Sequence, residues 1–178
     1  DMAMPMVKNA VVYEVCFAGY KSCPNGDNFM EGPGAATVTP AMYTNKEWAH
    51  GTEMISAAVN VDPNIKIVEI RCGSLVDTVY PPTPAANVHI GCNNDLLGKA
   101  FGWVYDNATK FNIGVVAAPL GTSILGKGLV NCNLNAAYVG PINKVLQTGL
   151  PVMFSVGNDF NYQSVNDLSL IHISEPTR

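Results

Sequence analysis

Charge is scarce in this sequence. Only 13% of its 178 residues are Asp, Glu, Lys or Arg, and the 10 basic residues never gather into a run. With 14 acids the formal net charge is −4. A chain with that balance and no basic patch lacks what holds nucleic acid or an acidic membrane surface. Also missing is any apolar stretch of the roughly 18–20 residues that a bilayer crossing needs. No Gly-rich segment has the spacing of a phosphate-binding loop. Hydrophobic residues, by contrast, make up 48%. That share excludes disorder and predicts a large buried core, and the length suits one domain.

Close cysteine pairs of the zinc-site kind are absent as well. The five cysteines, Cys16, Cys23, Cys72, Cys92 and Cys132, are widely spread and odd in number. One or two disulfides and five buried thiols both fit that count, with Cys16–Cys23 the first candidate pair. His89 lies near Cys92, but two ligands do not make a metal site. No metal ligands are therefore assigned.

The apolar pattern is that of an α/β chain. Residues 9–17 are short, β-branched and aromatic, which predicts a strand. Residues 18–48 carry Pro24-Asn25-Gly26, Gly32-Pro33-Gly34 and Pro40, and predict a long loop. A helix is expected over 52–59, a strand over 65–71 and a proline-rich loop over 73–92. The spacing of Leu96, Leu97, Ala100, Phe101, Val104 and Tyr105 predicts a helix, with Asn93, Asn94 and Asp95 as caps. A continuous apolar strand is expected over 113–118, then a Gly-rich loop to about 136. A helix over 142–147 closes at Thr148-Gly149 before a buried strand over 150–156. Strands alternating with helices predict one mostly parallel central sheet flanked by helices.

The ends of the sequence differ in character from its middle. The chain opens Asp1-Met2-Ala3-Met4, with no signal-peptide pattern. Residues 168–178, reading LSLIHISEPTR, resemble a translated sequencing-library adapter. The natural chain is expected to run past Asp167. Residues 1–167 are therefore read as a partial domain and 168–178 as a non-native tail, which removes His172 from consideration.

In parallel sheets reactive groups gather at the carboxyl ends of the strands. Three segments carry suitable residues there: Glu14, His50-Gly51-Thr52 at a helix start, and Gly157-Asn158-Asp159 after the last strand. In that order, 36 and then 108 residues apart, they resemble the subtilisin-like serine proteases, or subtilases. His50-Gly51-Thr52-Glu53-Met54 resembles the family's His-Gly-Thr block. Val115 to Gly121 resembles the strand that lines the first substrate subsite. Gly149 to Asp159 resembles the strand ending in the oxyanion-hole Asn, and Ala10 to Glu14 the strand ending in the catalytic acid. The resemblance covers about 9–159 and implies a three-layer subtilisin-like fold, incomplete at its C-terminus.

The resemblance also implies roles. His50 would be the general base, Glu14 the carboxylate that orients it and Asn158 the oxyanion donor. Ala118, Pro119, Leu120, Gly121 and Gly157 would line a groove for an extended polypeptide substrate. The family's Gly-Thr-Ser nucleophile block should follow Asn158. Gly121-Thr122-Ser123 precedes it and is read as subsite wall, so the chain as given is expected to be inactive. No cofactor is implied except calcium, which many subtilases bind. An extracellular or particle-associated setting is expected over a cytoplasmic one. Two departures stand out. Glu14-Val15-Cys16 replaces the family's Asp-Ser/Thr-Gly, and Pro119 replaces a Ser whose N–H a peptide would use. They motivate an alternative, a non-catalytic structural or binding module on the same fold. An unrelated α/β ligand-binding domain is a third reading.

Overall fold

A computed structural model describes residues 5–38, 49–77, 88–120 and 136–154. The chain divides into two compact units, residues 1–100 and 101–178.

The first unit begins with a short helix, α1 (Pro5–Ala10), that runs directly into strand β1 (Val11–Phe17). Asn9 and Ala10 were expected in the strand and are helical instead. The reason is tertiary: Val7 and Ala10 bury against Ile55 and Val59 of helix α2 (His50–Val61), with Val11, Ile65 and Ile67 packed around them. Pro at the first helical position costs α1 nothing, because that N–H would have no partner. Helix α2 leads through a turn at Asp62 into β3 (Ile67–Cys72), which lies parallel to β1 from Val11↔Ile67 to Phe17↔Cys72. Parallel neighbours need such a crossover, and α2 provides it.

The stretch expected as structureless loop at 18–48 contains a third strand, β2 (Phe29–Glu31), antiparallel to β1 with Val15↔Glu31 and Phe17↔Phe29. The sheet order is β2-β1-β3. A disulfide between Cys16 and Cys23 pins the intervening turn, and both residues lie buried with Ala18 and Ala35. The segment expected as proline-rich loop also carries regular structure in its described residues, 73–77 and 88–92. It holds an antiparallel pair, β4 (Ser74–Asp77) and β5 (Val88–Gly91), tied to the end of β3 by a disulfide between Cys72 and Cys92.

Helix α3 (Asn94–Asn107) starts where its cap was expected. The Asn93 side chain accepts the Leu96 N–H at 2.9 Å, and its carbonyl accepts that of Leu97. Asn93→Ala should cost about 1 kcal/mol in urea denaturation, and Asn93→Ser should restore most of it. After α3 the chain turns through Asn112, whose φ of 50° is left-handed. The Ile113 N–H bonds the Ala108 carbonyl, and the Asn112 N–H bonds that of Thr109. This helix-ending motif takes up Ile113, so the strand expected from 113 begins only at Val116.

In the second unit β6 (Val116–Ala118) and β7 (Val152–Phe154) pair in parallel, joined through helix α4 (Ala136–Gln147). The helix extends upstream of its expected start and contains Pro141. It ends as expected at Thr148-Gly149, with both N–H groups bonded to the last turn. Phe101 meets Phe154 at 5.8 Å, Trp103 stacks on Phe111, and Lys144 lies over Tyr105. The mixture of helices and strands is α/β as read from the sequence. In place of one central sheet, the described strands form three small ones, β2-β1-β3, β4-β5 and β6-β7.

Candidate functional site

Three acidic or basic side chains share one face of the β1–β3 pair. Glu14 sits at the middle of β1 rather than at its end, with 8% of its surface exposed. Its Oε1 accepts the Gly34 N–H at 3.0 Å and its Oε2 the Ala36 N–H at 2.9 Å, while its carbonyl accepts the Gly32 N–H. Gly32 and Gly34 have φ of 98° and 87°, a backbone open to glycine, and the turn aims the alternate amides of Gly34 and Ala36 at one anion. Both oxygens of Glu14 are thus committed to the turn at 32–37.

Glu69 is the β3 partner of Glu14 in the parallel register, so the two carboxyl groups lie side by side. Its Oε2 is buried and takes no hydrogen bond, while its Oε1 lies 3.8 Å from where a Cβ on Gly51 would be. The first turn of α2 therefore packs on this carboxyl. Burial, and then the charge of Glu14, push Glu69 up to about 7. Two residues on, Arg71 donates to the carbonyls of Thr37 and Ser22 at 2.8 and 2.7 Å. Burial pulls its pKa down.

His50 opens α2 and is exposed. No side chain caps this helix, whose preceding residue is Ala49. His50 is next to Gly51, so the site brings an imidazole-bearing turn to the Glu69 carboxyl. Glu69 escaped the sequence reading because nothing in Ile67-Val68-Glu69-Ile70-Arg71 reveals register. An acidic residue facing inward from a strand was its only signal.

Of the proposed substrate-lining residues, Ala118 ends β6 and is buried, while Pro119 and Leu120 follow half-buried. The Leu120 N–H turns back to the Ala118 carbonyl at 2.7 Å. Gly121, Gly157 and Asn158 lie outside the described residues, as does the Gly121-Thr122-Ser123 segment. Among the described residues no cluster of three or more His, Cys, Asp or Glu is arranged to hold a metal ion. Cys92, the thiol nearest His89 in sequence, is bonded to Cys72. Among the described residues no helix is long and apolar enough to cross a membrane. The chain matches no protein-family model, no curated protein and no solved structure.

Proposed function

We propose that this chain carries the front part of a subtilase-like serine endopeptidase domain of three layers, acting on extended polypeptides. His50 is the general base and Asn158 the oxyanion donor, with the serine to be found in sequence following Asp167. One observation carries the reading. The parallel β1-α2-β3 unit sets the helix that opens at His50 against a carboxyl-bearing strand, with Glu69 packed on Gly51. The His50 imidazole stands exposed at the first turn of that helix. It would take the serine proton during attack and return it to the leaving amine, and the Asn158 amide would hold the oxyanion.

The experiment is to recover the coding sequence beyond codon 167, express the longer product and treat it with a fluorophosphonate probe. Labelling is expected, and His50→Ala should slow it by about 10³-fold or more. The chain as given should not label.

A second reading is favoured by the bonding of Glu14. Each Glu14 oxygen already holds a backbone amide, which makes this carboxylate the anchor of the 32–37 turn. On that reading the domain is a non-catalytic binding or structural module. A folded longer product that fails to label would support it and overturn the peptidase.

A further inference from the structure

Glu14 and Glu69 are two acidic groups in register on neighbouring strands, and their arrangement does not depend on the peptidase reading. Neighbouring strands are about 4.8 Å apart, and partners in register point to the same side. The two carboxyls therefore compete for one desolvated space. Glu14 has two amide donors there, from Gly34 and Ala36. Glu69 Oε2 has none. An ionised Glu14 is stabilised by that nest, whereas an ionised Glu69 would place a second negative charge beside it with no donor to receive it.

We propose that Glu14 and Glu69 form a proton-operated latch on the turn at 32–37. With one proton resident on the pair the turn is held shut, and loss of that proton loosens it.

The charge of the N-terminal amine opposes the upward push on Glu69 but is outweighed by burial and by Glu14. From β3, Arg71 donates from its two terminal nitrogens to the Thr37 and Ser22 carbonyls. From α2 the first turn presents Gly51, with His50 and Glu53 on the same turn and exposed. From α1, Lys8 lines a cavity of about 220 Å³ with Val11, Val12, Tyr13, Glu14 and Pro33. Gly34 and Ala36 bring only backbone amides to Glu14.

Ionisation of Glu69 leaves two ways to relieve the repulsion. Water enters beside the pair, or the Glu14 side chain draws back from the second negative charge. Either way the bonds from Gly34 and Ala36 weaken, and the cavity wall formed by Glu14 and Pro33 opens. The molecule would thus be tighter in mildly acidic surroundings and looser above neutrality.

NMR-detected amide exchange, corrected for intrinsic rates, tests this on the protein as it stands. Between pH 5.5 and 8.5 protection of the Gly34 and Ala36 amides should fall about tenfold or more, while the β1–β3 ladder amides stay protected. In Glu69→Gln the fall should disappear. In Glu14→Gln protection should be low at both pH values. Unchanged protection in the wild type, or an equal fall in Glu69→Gln, overturns the latch. Carboxyl ¹³C shifts of the unmutated protein probe the pair without any variant. Glu69 should show a titration step in this range, and a Glu69 signal flat over it would overturn the proposal.

Discussion

Reduction of the two disulfides of the first unit is expected to unfold it at room temperature. The Cys16–Cys23 bridge spans a sequence separation of 7 and Cys72–Cys92 one of 20. Loop-closure entropy then contributes about 2.5 and about 3 kcal/mol respectively. Their combined effect approaches the ~5–15 kcal/mol by which whole domains are stable. Both bridges also sit at the same end of the parallel pair, since Phe17 of β1 lies opposite Cys72 of β3. Opening either frees the end of the sheet from which the turn at 18–28 or the β4–β5 hairpin departs. Cys16 and Cys23 are 0% and 2% exposed, so their loss adds a packing defect to the entropic one. Urea denaturation followed by far-UV circular dichroism, with and without a phosphine reductant, should show the midpoint collapse on reduction. Replacing Cys72 and Cys92 together by Ser should remove about half of the effect. A midpoint indifferent to reductant would show that the bridges contribute nothing to stability. Material made in a reducing cytosol should be correspondingly poorly folded, because disulfides persist only in oxidising compartments.

What the sequence could and could not reveal follows from the range of the interactions. Helices α2 and α3 were legible because their apolar spacing is local, and Asn93 and Gly149 marked ends through bonds within a few residues of themselves. The short-range bridge Cys16–Cys23 was the first candidate pair for the same reason. Features set by distant partners were missed. Helix α1 exists because Val7 and Ala10 find α2, more than 40 residues away. Strand β2 and the β4–β5 hairpin lie in segments whose prolines and glycines read as loop, yet pairing overrides that local preference. At the candidate site Glu14 was found, but its role as the anchor of the 32–37 turn was not. Nothing local says that Gly34 and Ala36 return to it. Glu69 was missed altogether, because strand register alone places it beside Glu14. The expectation of one central sheet treated all the strands as interchangeable neighbours, and apolar pattern carries no pairing information.

The second large effect is an inverted pH dependence of stability. A carboxyl whose folded pKa lies above its unfolded value holds more protons when folded, so its contribution is complete below the unfolded value and is lost as pH rises through the folded one. For Glu69 these values are 4.5 and about 7. The difference corresponds to roughly 3 kcal/mol of stability lost from Glu69 as pH rises from about 4.5 to beyond 7. Most carboxylates in folded proteins behave the other way, since partners lower their pKa. Glu69 departs from them because burial dominates, the charge of Glu14 adds to it, and Oε2 has no donor to compensate. Glu69→Gln keeps the shape and cannot ionise. The stability of this variant relative to the wild type should therefore increase by about 3 kcal/mol between pH 4.5 and 8, measured as paired urea denaturations at each pH. Glu14→Gln should remove only the smaller part of the slope, because desolvation of Glu69 survives it. That variant should also be less stable overall, since two buried amides lose an ionised acceptor worth about 1.5–3 kcal/mol per bond. A Glu69→Gln difference that stays constant across the range would mean that the Glu69 carboxyl titrates as it does in the unfolded chain. The side-by-side arrangement of the pair would then have no energetic consequence.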